Sequence, residues 1–169
     1  VAGTDKSAAW GDVTLNAYIA HKFVGAELEP GLKEGAFYDP VNFTFPAGCH
    51  ICEVEVDPQT GESEIVAWTA VDDFGTVINP MIVEGQLHGG ITQGIATALF
   101  EEGIYDEDGN LANGTLATYL VPSAAELPSY ELERTESKAT DHPFGAKGVG
   151  ETGTIAAAPA VINAVVDAL

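Results

Sequence analysis

Asn79-Pro80-Met81-Ile82-Val83-Glu84-Gly85-Gln86-Leu87-His88-Gly89-Gly90-Ile91-Thr92-Gln93-Gly94-Ile95-Ala96-Thr97-Ala98-Leu99-Phe100 reads as one long helix. Asn79 is a capping residue, and Pro80 suits the first helical position, where its missing N–H leaves no bond unmade. Val83, Leu87, Ile91, Ile95 and Leu99 recur every four residues and draw an apolar stripe that reaches Phe100. Gly85, Gly89, Gly90 and Gly94 lie within it, although each helical glycine costs about 1 kcal/mol relative to alanine. A bare helix surface has two causes that weigh equally at this point: close packing by another helix, or close approach of a bulky ligand.

The neighbouring segments set the fold class. Upstream, His50 to Val56 alternates apolar and polar residues as a half-buried strand does, Asp57-Pro58-Gln59-Thr60-Gly61 supplies a turn, and Glu64 to Val71 resumes the strand. Ser7 to Ala20 reads as a helix capped at Ser7, and residues 24–48 as an irregular connection. Downstream, Ile104 to Leu111 around Asp106-Glu107-Asp108-Gly109 reads as a second hairpin or a strand pair. It is a turn rather than a calcium loop, since Thr118 stands where the closing Glu would be. Tyr130 to Glu136 reads as a strand with Leu132 inward, and Thr154 to Leu169 as an apolar, buried helix broken or restarted at Pro159. Strand, strand, helix, strand predicts an α+β fold: a mixed sheet with packed helices. No repeat or linker divides residues 1–169, so a single domain is expected. From a start without Met and an end inside a helical pattern, a piece of a longer polypeptide is expected.

Composition excludes whole classes of partner. Six basic residues stand against 26 acidic ones, for a formal charge of −20. Such a field repels nucleic acid and anionic membranes. The apolar content of 46% argues against disorder. Folding in concentrated salt, where screening relieves self-repulsion, is one reading of the charge. No stretch approaches the roughly 20 apolar residues of a membrane-spanning helix. Cys49 and Cys52 form a C-x-x-C, but residues three apart on a strand point to opposite faces, and no second ligand pair follows. They read as structural thiols, compatible with a reducing cytoplasm.

Phe144-Gly145-Ala146-Lys147-Gly148-Val149-Gly150-Glu151-Thr152-Gly153-Thr154 carries the chemistry. Bare glycines expose backbone N–H groups, and the loop feeds a helix N-terminus, which suits a phosphate or pyrophosphate with Lys147 as counter-charge. The spacing fits neither a Walker loop nor a dinucleotide fingerprint. Glu151 would repel such an anion. It reads either as a carboxylate stabilising the helix N-terminus or as a general base whose pKa partial burial would raise. A non-catalytic phosphate- or nucleotide-binding module is therefore the rival to an enzyme.

Three ordered motifs resemble one family. Gly145-Ala146-Lys147-Gly148-Val149-Gly150-Glu151 is similar to the signature near the C-terminus of molybdenum hydroxylase large subunits, the xanthine oxidase family. Asp72-Asp73-Phe74-Gly75 through Asn79-Pro80 to Gly85-Gln86-Leu87-His88-Gly89-Gly90 matches a second motif of that family. Phe45-Pro46-Ala47-Gly48-Cys49-His50, with Glu53 to Pro58 and Thr60-Gly61, looks like its carbon monoxide dehydrogenase branch. The resemblance covers nearly the whole chain. Cys52 departs from the small apolar residue usual there, and Thr140-Asp141-His142-Pro143 is atypical of the loop's approach.

The resemblance implies a molybdenum-containing oxidoreductase. Glu151 would be the base that takes a proton from the attacking oxygen. Gln86 would hydrogen-bond the cofactor at its molybdenum end, and Asn79, Lys147, Gly148, Val149 and Gly150 would line its site. The cofactor implied is molybdopterin cytosine dinucleotide with molybdenum, paired with copper in the carbon monoxide branch through a Cys outside this chain. Partners implied are an iron–sulfur small subunit and an FAD medium subunit, as a dimer of heterotrimers in the cytoplasm. Carbon monoxide is the implied substrate, with aldehydes or N-heterocycles as the alternative, and the fragment alone would be inactive.

Overall fold

In a computed structural model, residues 2–19, 21 and 29–169 are described. The chain divides into two compact units, Val1–Asp39 and Pro40–Leu169. In the first, helix α1 (Trp10–Tyr18) starts three residues after Ser7, with Ala9 at its N-cap and no side-chain cap bond. The expected end at Ala20 lies outside the described residues, as do residues 24–28 of the expected irregular connection. Residues 29–46 of that connection form no helix or strand.

The second unit is built on a three-stranded mixed sheet in the order β1-β2-β3. Strands β1 (Ala47–Val56) and β2 (Ser63–Asp73) form the expected hairpin, antiparallel, with a bulge between Glu53 and Val54. At the turn, Gly61 N–H donates to the Asp57 carbonyl, and Gly61 sits at φ 78°. Strand β3 (Tyr130–Thr135) lies parallel to β2, from Trp68 opposite Tyr130 to Asp73 opposite Thr135. Parallel neighbours need a long crossover, and helix α2 (Pro80–Leu99) lies within it. Asn79 caps α2 as expected, its side-chain oxygen accepting from Ile82 N–H at 3.3 Å.

Helix α3 (Thr152–Ala168) packs against α2 and β1. One face of the sheet and one side of each of these helices share the core of Ile65, Trp68, Ala70, Ile91, Ile95, Ala157 and Val161. Here the helical glycines divide. A Cβ on Gly94 would lie 2.5 Å from Ala157 Cβ, and one on Gly90 3.1 Å from Gly153 Cα, so these two let α2 and α3 touch. Gly85 and Gly89 meet nothing within 4 Å.

Three expectations need correction. Helix α3 runs unbroken through Pro159, which lies on its exposed side, where water can satisfy the carbonyl left without an N–H donor. Nor is α3 buried all round: Ile155, Ile162 and Val166 are exposed, because α2 and the sheet cover one side of it. The second hairpin reduces to one bridge, Tyr105 with Leu111, around a turn in which Asp106 Oδ1 accepts from the N–H groups of Asp108 and Asn110. Its carboxyl is held below the ordinary range chiefly by the Asn110 N–H.

Candidate functional site

Strand β2 ends at Asp73, and the next residues form the seat of the glycine-rich loop. Phe74 is buried, and its carbonyl accepts from Lys147 N–H at 2.8 Å. The Gly145 carbonyl accepts from both Thr76 N–H and Ala139 N–H at 3.0 Å. Gly75 is required here. Its φ is +59°, and a Cβ would fall 2.1 Å from the Gly145 carbonyl oxygen. His142 Nε2 lies 2.7 Å from the Ala146 carbonyl, to which it donates in the Nε2–H tautomer. The two motifs at 72–90 and 145–151, far apart in sequence, are thus stitched together by backbone bonds.

Lys147 is fixed at both ends. Its Nζ lies 3.0 Å from Asp73 Oδ1 and donates to Ser137 Oγ at 2.7 Å, with the Lys and Asp side chains each 13% exposed. The Ser137 hydroxyl, the Gly75 N–H and the Lys147 ammonium hold the Asp73 carboxyl well below the usual carboxylate range. Lys147, expected as a counter-charge to a bound phosphate, is thus already paired within the chain.

Beyond Lys147 the loop is bare. Gly148 is exposed, with nothing within 4 Å of where a Cβ would stand. The N–H groups of Gly148, Val149 and Gly150 donate to no carbonyl among the described residues. A Cβ on Gly150 would lie 3.7 Å from Gln86 Nε2, so the Gln86 amide reaches the residue before Glu151. Glu151 stands at the N-cap of α3, exposed, and its side chain makes no capping bond. The expected partial burial of Glu151 is absent: the buried face of the helix start begins at Thr152 and Gly153, and Glu151 itself is exposed.

Ile82, Gly85, Gln86, Gly89 and Gln93 are all exposed and, at about 3.6 residues per turn, share one side of α2. The fit to a flat, polar-edged ligand is good: bare glycines on that side, one amide and a run of unbonded N–H donors. Asn79, Lys147 and Val149 also line a common cleft of about 200 Å³ with Ile78 and Ile82. That is below the roughly 300 Å³ at which ligand pockets begin, so other residues must complete any site for a large cofactor. The amide oxygen of Asn79 is already used in the helix cap.

Sequence reasoning missed Asp73, Ser137 and His142 as loop anchors, and the buried pair behind them. His50 Nε2 lies 3.2 Å from Asp72 Oδ2, both side chains 1% exposed, and His50 Nδ1 is buried without a partner among the described residues. Strand alternation holds a signal for the two acids: adjacent Asp72 and Asp73 must face opposite sides. Cys49 is exposed and Cys52 half-buried against the core, as strand alternation requires. Burial, then Glu53, pushes the Cys52 thiol up to about 11. Among the described residues no cluster of three or more His, Cys, Asp or Glu could hold a metal, and no helix is long and apolar enough to cross a membrane.

A family model described as molybdopterin cofactor-binding domain matches residues 1–128. The carbon monoxide dehydrogenase large chain of Hydrogenophaga pseudoflava is 45% identical over 152 residues, covering 90% of this chain and 19% of that one. Among solved structures, a Cu,Mo-CO dehydrogenase in its carbon monoxide reduced state superposes with a TM-score of 0.79 at 44% identity, over 83% of this chain and 18% of that one. Quinoline 2-oxidoreductase from Pseudomonas putida 86 gives a TM-score of 0.88 at 40% identity, over 96% of this chain and 21% of that one. The chain spans about a fifth of the length of these relatives.

Proposed function

The chain belongs to the molybdopterin cofactor-binding domain family, and from that premise we propose that it forms one wall of the catalytic site of a molybdenum-dependent oxidoreductase. The observation that carries the reading is the placement of Glu151. Its carboxylate stands free at the head of α3, unused as a cap, one residue from the glycine that Gln86 approaches. A carboxylate there, beside unbonded amides, is arranged to take a proton from an oxygen nucleophile. Gln86 and the N–H groups of Gly148, Val149 and Gly150 hold the cofactor's edge, and the glycines of α2 leave it room.

When bound, molybdenum on its pterin, in the cytosine dinucleotide form, would supply the two-electron redox chemistry. The residues of this chain orient that group and move the proton. The reaction proposed is oxidation of carbon monoxide with water to carbon dioxide, two protons and two electrons, favoured by the 45% identity to a carbon monoxide dehydrogenase large chain. Hydroxylation of an N-heterocycle is the second reading, favoured by the fuller superposition on quinoline 2-oxidoreductase. In the first reading a copper ion is held by a Cys elsewhere in the complete subunit. Iron–sulfur and FAD subunits carry the electrons away within a cytoplasmic complex, a dimer of heterotrimers.

Metal analysis and cofactor extraction on the complete subunit test the reading. Molybdenum and a released cytosine nucleotide are expected, and both fall in Gln86→Ala. A subunit with neither would leave a phosphate- or nucleotide-binding module, and the enzyme reading would be lost.

A further inference from the structure

Glu151 hangs between two fixed points. After it, the start of α3 is locked to α2: Thr154 Oγ1 donates to the Gly90 carbonyl at 2.9 Å, and a Cβ on Gly153 would lie 2.9 Å from the Leu87 carbonyl oxygen. Before it, Gly148, Val149 and Gly150 donate no backbone N–H to the described residues. The Val149 carbonyl accepts from Thr152 N–H at 3.3 Å, which ties the loop only to the start of α3, so Lys147 is the last anchor to β2 on that side. It is held by its own N–H to Phe74, and by its ammonium to Asp73 and Ser137.

We propose that Lys147, Asp73 and Ser137 form a clasp that positions Glu151 against Gln86, and that Lys147 is a positioning residue rather than a ligand of the cofactor's phosphates. This rests on the reading of Glu151 as the base. The ammonium is neutralised by Asp73, with both side chains largely withdrawn from water, so little net positive charge is left to attract a phosphate. The far side of β2 makes the anchor rigid. Asp72, the preceding residue, is buried against His50, and a Cβ on Gly48 would lie 1.9 Å from Asp72 Oδ1. The strand end carrying Asp73 is thus pinned from the core side as well. Releasing Lys147 leaves a glycine-rich tether in its place, and catalysis is sensitive to displacements of about 1 Å.

The test uses the intact, cofactor-loaded enzyme with D73N, K147M, the D73N/K147M pair, K147R and E151Q. Activity per bound molybdenum, its pH profile, molybdenum and nucleotide content, and hydrogen exchange of the amides at 148–150 are measured. The clasp predicts that D73N and K147M each lower kcat per molybdenum roughly ten- to a hundredfold, shift the pH profile and speed exchange at 148–150, with cofactor content kept. The pair is no worse than the worse single variant, and K147R recovers part of the loss. Loss of nucleotide in K147M with retention in D73N would make Lys147 a phosphate ligand and overturn the clasp. Unchanged kcat per molybdenum and pH profile in both singles would overturn it too. Full activity in E151Q removes the base reading by itself, whereas a silent clasp with an inactive E151Q removes only the present proposal.

Discussion

Asp72 and Asp73 are neighbours on one strand with opposite surroundings, and each has its own consequence. Asp72→Ala would strip the buried His50 Nε2 of its partner, which costs about 1–3 kcal/mol for an unsatisfied buried polar group. Denaturant unfolding of the chain measures it. Asp73 has a pKa depressed below its unfolded value of about 3.9. A depressed carboxylate contributes stability above the unfolded pKa and loses it as pH falls through the folded one. The melting-temperature gap between the native chain and D73N should therefore hold steady from neutral pH to about 5 and narrow only below about 4. A gap that narrows already between pH 7 and 5 would contradict the Asp73–Lys147 assignment. At this scale the sequence is a partial guide. Glu151, Gln86 and the bare loop stand out by residue type and pattern. The partners of Lys147 do not, because Asp73 and Ser137 reach it only through the fold.

At the scale of elements, α2 carries two kinds of glycine that the sequence alone leaves indistinguishable. Gly94→Ala would drive a Cβ to 2.5 Å from Ala157 Cβ, an overpacking that costs about 1–3 kcal/mol. A Cβ on Gly89 meets nothing within 4 Å among the described residues, and the position is exposed, so Gly89→Leu should not destabilise the chain and should gain up to about 1 kcal/mol in helix propensity. In the complete subunit the same Gly89→Leu should lower molybdenum and nucleotide content if that side of α2 faces the cofactor. Normal cofactor content in Gly89→Leu would show that the open side of α2 faces something else. The periodic helix, its Asn79 cap and the β1–β2 hairpin were legible because local pattern decides them. The run through Pro159 and the one-sided burial of α3 were not, since both depend on which neighbours the helix finds.

For the whole molecule, a charge of −20 on 169 residues is a self-repulsion that salt screens. Thermal unfolding should move to higher temperature between dilute buffer and molar sodium chloride, and an unchanged midpoint would dismiss the high-salt reading of the composition. Length matters in the same way for the site. The chain spans about a fifth of its relatives, and the cleft shared by Asn79, Lys147 and Val149 is too small for a dinucleotide cofactor. In the proposed function the chain is one wall of the site, with Glu151 on it as the base, and residues outside this chain close it. The most direct test is kcat per bound molybdenum of Glu151→Gln in the intact enzyme. A fall of roughly two to four decades at unchanged molybdenum content is expected for loss of a general base, and full activity per molybdenum would contradict the assignment.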